Sequence, residues 1–181
     1  MRLKSIAIPG VACCLFVFIQ SAVAGPPIDT CNLPQDLQRE IVSKYPGAKV
    51  VRVADLEDDD RGFYRKDHDD SCPGLVNVDF YGDGKPTLAL VLIRKGGIKE
   101  HTELIVAHQT GERWNTARLD TGGPSPYAPV VWSQPPGEYR DVYGNKTIRA
   151  TRPVIVFCKY EAWAILYAWT GRNFTKIWIA D

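Results

Sequence analysis

After Thr87 come six consecutive apolar residues, Leu88-Ala-Leu-Val-Leu-Ile93, and no other feature constrains the fold of this chain so strongly. A β-strand sends successive side chains to opposite faces, so a run that is apolar at both odd and even positions must be buried on both sides. Such a strand belongs at the centre of a sheet, covered by a helix or by a second sheet layer. The helix is available upstream. Leu33, Leu37, Ile41 and Tyr45 recur every four residues and form one apolar stripe. Asn32 is placed to cap it, Pro34 suits the first turn, Asp36 complements the dipole and Pro46-Gly47 ends it.

Beyond residue 48 the period changes to two. Strands are predicted at Lys49–Val53, Leu75–Phe80, Thr87–Arg94, Glu103–His108, Trp114–Leu119, Val154–Cys158, Trp163–Trp169 and Phe174–Ile179. Asp83-Gly84, Gly96-Gly97, Thr110-Gly111 and Gly171-Arg172 mark turns between them. Connections this short make hairpins, so the pairing is antiparallel. The expected class is mostly β or α+β: an antiparallel sheet of hairpins with one packed N-terminal helix. Trp163, Tyr167 and Trp169 share one strand face, as a core layer or as a stacking platform.

The first 24 residues read as an address. Arg2 and Lys4 precede the apolar run Val11–Ile19, and Ala22-Val23-Ala24 places small residues where a signal peptidase cuts. The run is too short to span a bilayer, which takes about 20 residues. The expectation is an exported chain, periplasmic or secreted, with one domain over residues 25–181 and no stable membrane insertion after cleavage. Without residues 1–24, 20 bases face 21 acids and three cysteines remain. This near-neutral balance excludes a polybasic nucleic-acid binder. An oxidising compartment favours one disulfide among Cys31, Cys72 and Cys158. The preferred pair is Cys72–Cys158, because Cys31 lies near a terminus. Asn145-Lys-Thr147 and Asn173-Phe-Thr175 are glycosylation sequons, relevant only in a eukaryotic source.

Neutrality conceals a segregation. Residues 55–83 hold ten acids against three bases, a net of −7 in 29 residues, and the remainder of the mature chain carries +6. A run of like charge is ordinarily a solvated loop. Within it, Asp79-Phe-Tyr-Gly-Asp83-Gly84-Lys-Pro-Thr87 sets two hard oxygen ligands around a tight turn. This segment resembles the calcium loop of FG-GAP or VCBS proteins, with Asp79, Asp83 and Gly84 matching and Tyr81 and Thr87 departing from the pattern. Asp55-Leu-Glu57-Asp-Asp59-Asp60 resembles a second degenerate copy. The resemblance implies a low-affinity calcium site built from Asp55, Glu57, Asp59, Asp79 and Asp83. The alternative is a hairpin in which Asp-Gly supplies only turn geometry. No other cofactor is expected.

The acidic segment has a less demanding use, the docking of a cationic protein by Asp58, Asp59, Asp60, Asp69 and Asp70, since opposite potentials speed encounter. Residues 122–137 contain five prolines and three glycines, and Tyr127 and Trp132 would give this stretch aromatic anchors. A short edge strand at Val130–Trp132 is the other reading. Nucleophile-elbow, zincin and phosphate-loop motifs are absent. His101-Thr-Glu103 lacks the cysteine pair that zinc deaminases add. His68 and Cys72 with Asp67 and Asp70, or Glu161 with Asp141 or Glu138, are the remaining groupings. The functional expectation is therefore a binding module, inhibitor-like or immunity-like, with a small hydrolase using carboxylates or a Cys–His pair as the alternative.

Overall fold

Burial of the apolar run from both sides is met by two different partners. The computed structural model describes residues 29–96, 99–123 and 128–181; residues 1–24, expected to be a leader, and Tyr127 among the anticipated anchors lie outside them. Helix α1 (Gln35–Lys44) precedes a short strand β1 (Lys49–Val50), a 3-10 turn (Val53–Asp55) and a second helix α2 (Asp58–His68). Strands β2 (Leu75–Asn77), β3 (Thr87–Gly96), β4 (Lys99–Thr110) and β5 (Arg113–Gly123) follow. The first sheet runs β1-β3-β4-β5, with β1 and β2 sharing the outer edge of β3 and every pairing antiparallel. Leu88, Leu90 and Leu92, with Ile105 and Ala107 of β4, pack under Leu37 and Ile41 of α1. Ala89, Val91 and Ile93, with Leu104 and Val106, face the other way into the main core. The central strand is thus covered by the helix on one face and by a second sheet on the other. Each fully buried aliphatic side chain here contributes about 1.5–3 kcal/mol.

That second sheet is β11-β10-β9-β6, again antiparallel, built from β6 (Val130–Gln134), β9 (Val154–Lys159), β10 (Trp163–Trp169) and β11 (Phe174–Ala180). A small hairpin, β7 (Gly137–Arg140) with β8 (Thr147–Ala150), sends Ile148 into the main core, and the Val142 amide donates to Trp178 O. Tyr167 is buried as a core layer would be, with Trp163 and Trp169 half-buried beside it. Val131 N donates to Pro73 O at 2.8 Å and joins the two sheets along one side. Along the other side Asp120 of β5 accepts from Tyr167 and from Lys176, the latter at 2.6 Å.

Two local expectations are corrected. Asn32 does not cap α1: the helix starts after Pro34 with no side-chain cap, and Asp36 accepts the Trp114 indole N–H at 2.7 Å instead. The disulfide is Cys31–Cys72, not Cys72–Cys158, with the Cα atoms 5.0 Å apart. Closeness to a terminus does not free Cys31, because its segment is held by the Arg52–Asp29 ion pair and by Thr30 donating to Asp70 O. Gly74 carries the chain so near Val51 that a Cβ there would stand 2.6 Å from Val51 O. This approach brings Cys72 beside Cys31. Cys158 lies elsewhere, near the end of β9 opposite Val130 and Ala164, buried and free.

Candidate partner-binding face

Residues 58–68 form a helix rather than a loop. Asp58, Asp59 and Asp60 occupy its first turn, and Arg65, Lys66 and His68 its last, so both charge clusters complement the helix dipole. This arrangement tolerates Gly62 in mid-helix, which costs about 1 kcal/mol relative to alanine. Residues four apart on a helix share a face. One stripe, Asp60-Tyr64-His68, turns inward: Asp60 and Tyr64 are buried, and the His68 ring lies 5.1 Å from the Trp132 ring of β6. The neighbouring stripe, Asp59-Phe63-Asp67, turns outward, with Phe63 39% exposed.

The inward stripe is electrostatically closed. Asp60 accepts from Lys159, which also reaches Glu57 at 3.0 Å. Burial alone would lower the Lys159 pKa, but its bonds to Asp60 and Glu57 outweigh that and raise it. Burial lowers the His68 pKa against the opposing charge of Asp67. The Tyr160 pKa is raised by burial and by Asp67, and its buried hydroxyl has no hydrogen-bond partner among the described residues. Beside them Cys158 is pushed up to about 12 by burial and by Asp60, against the effect of Lys159. Such a thiol stays protonated at neutral pH and is a poor nucleophile.

The outward stripe is open. Asp59, Asp67, Asp69 and Asp70 are exposed, and none makes an ion pair among the described residues. Asp58 is tied to Arg61 at 3.0 Å. The rings beside the stripe are stacked in sequence. Phe63 lies 5.8 Å from Tyr160, and Tyr160 lies 6.4 Å from Trp132. Helix α2 and Trp132, 64 residues or more apart in the chain, therefore share one face. Asp69 ends α2 at φ 52° and ψ −135°, a conformation that L side chains rarely adopt.

The five carboxylates anticipated around calcium go to separate tasks. Asp55 pairs with Lys49 at 2.6 Å and accepts the Arg52 amide; Glu57 pairs with Lys159; Asp59 stays exposed. Asp79 accepts the Gly84 amide, and Asp83 accepts the Lys85 amide at 3.2 Å while its other oxygen lies 3.2 Å from His108 Nε2. Partial burial would raise the Asp83 pKa, but the Lys85 amide and the His108 and Lys85 charges hold it below its usual value. The other nitrogen of His108 is 2.9 Å from the buried Thr87 hydroxyl, so the Asp83 turn is pinned to the central strands. Among the described residues, no three His, Cys, Asp or Glu side chains are grouped to hold a metal ion.

The other groupings also make contacts within the fold. Glu103 is buried under Arg94, Arg118 and His101, with its carboxylate 3.1 Å from Arg94. Glu138 pairs with Arg149, and Asp141 accepts the Tyr143 and Trp178 amides. Cys72 is spent in the disulfide. Sequence reasoning missed Phe63, Tyr160 and Asp67 as members of the acidic–aromatic face. The four-residue spacing of Asp59, Phe63 and Asp67, with acids before bases along the segment, was the available signal. No helix among the described residues is long and apolar enough to cross a membrane. Comparison of the chain with protein-family models, with curated proteins and with solved structures found no match.

Proposed function

We propose that this chain is an exported binding module, inhibitor-like or immunity-like, that docks a cationic protein through α2 and the rings packed beside it. The observation that carries the reading is the set of exposed carboxylates Asp59, Asp67, Asp69 and Asp70, without ion pairs among the described residues, on and just after the helix whose Phe63 ring stacks on Tyr160 beside Trp132. Carboxylates steer a basic partner at long range, and aromatic anchors bind it at short range. Asp58 adds charge, whereas Asp60 holds the helix in place. Export to the periplasm or the exterior is supported by the signal-like residues 1–24 and by the Cys31–Cys72 disulfide. The hydrolase alternative receives less support, because Cys158 is buried with a raised pKa, Glu138 is paired with Arg149 and Asp141 accepts the Tyr143 and Trp178 amides.

Affinity capture from the exported fraction tests this. The wild type should retain a basic protein at low ionic strength and release it as salt rises. An Asp59→Asn/Asp67→Asn/Asp70→Asn variant should retain much less of it. Capture of the same proteins by both, unaffected by salt, would overturn the reading.

A further inference from the structure

We propose that the Asp59-Phe63-Asp67 stripe, with the Tyr160 and Trp132 rings beside it, reads arginine in the partner rather than positive charge in general. This rests on the docking reading above and names the side chain that docks. A partly exposed ring stands between two carboxylates placed one helical turn before and after it. Side chains at that spacing have Cβ atoms about 5–6 Å apart. A planar cation laid on the Phe63 ring is therefore within reach of a carboxylate at either edge.

Guanidinium suits this arrangement because it is flat, weakly hydrated and able to stack on a ring while donating in-plane N–H groups to carboxylates. The lysine ammonium is a compact, strongly hydrated point charge that gains from the field but little from the geometry. The two open carboxylates of the stripe itself also favour a cation. Asp67 acts electrostatically on Tyr160 and on His68, and neither Asp59 nor Asp67 is neutralised within the described residues. The neighbouring Lys159 is committed to Glu57 and Asp60.

Titration of the intact protein with hexa-arginine and hexa-lysine peptides, followed by calorimetry at low ionic strength, separates this inference from the reading beneath it. Hexa-arginine should bind about three- to tenfold tighter, the gain expected of cation–π contact at a partly exposed ring. Phe63→Leu, at a partly exposed position, should bring the two affinities together by weakening hexa-arginine more than hexa-lysine. Equal affinities in the wild type would overturn arginine reading while leaving charge-driven docking in place. An arginine preference undiminished in Phe63→Leu would overturn the assignment to these rings. If neither peptide binds, both proposals fall.

Discussion

Asp58, Asp59 and Asp60 are three identical side chains in a row with three different surroundings. Asp58 is exposed and tied loosely to Arg61, Asp59 is exposed and unpaired among the described residues, and Asp60 is buried against Lys159. Removing one member of a buried pair leaves the other charge desolvated, at a cost of about 3–5 kcal/mol when no other partner remains. Glu57 still reaches Lys159, so Asp60→Asn should destabilise the fold by less, about 2–3 kcal/mol. Asp58→Asn should fall within about 0.5 kcal/mol, as exposed pairs do. Urea unfolding of the two variants checks this; equal losses would mean that Asp60 is not the residue that anchors the helix.

At the scale of elements, α2 is unusual in what holds it. Its mean hydropathy is low, and one inward stripe supplies its burial while dipole-matched charges support its ends. Its C-terminal boundary is strained, because Asp69 takes a backbone conformation that glycine adopts without penalty. Asp69→Gly should therefore stabilise the protein by about 1 kcal/mol, seen as a higher urea midpoint. The same variant should bind a cationic partner more weakly, since it deletes one open carboxylate. A lower midpoint would show that the Asp69 side chain supports the turn.

Across the whole molecule, the Cys31–Cys72 bridge ties the segment before α1 to the loop after α2, over a sequence separation of 41. Closing a loop of that length stabilises the fold by about 3–4 kcal/mol through loss of chain entropy in the unfolded state. The Cys31→Ser/Cys72→Ser protein should lose about that much in urea unfolding. Cys158→Ala removes one buried sulfur and should cost about 1 kcal/mol. If Cys158→Ala proved the more damaging, the cross-link would involve Cys158 after all. The bridge also bears on the proposed face, because Thr30 bonds the Asp70 carbonyl beside the exposed Asp69 and Asp70 side chains.

The central strand, the helix that covers it and the two hairpin series β3-β4-β5 and β9-β10-β11 were legible in the sequence. They follow from periodicity and turn chemistry, which act over a few residues and leave a local pattern. The disulfide partner of Cys72, the inward turn of Asp60 and the meeting of Trp132 with His68 were not legible. Each depends on groups tens of residues apart that become neighbours only when the sheets pack: Gly74 against Val51, Lys159 across from Asp60, Tyr160 between Phe63 and Trp132. The sequence by itself determined that the chain carries a block of negative charge. The tertiary structure decided which of those charges are spent inside the fold and which stay open, because that depends on where the compensating cations lie in space.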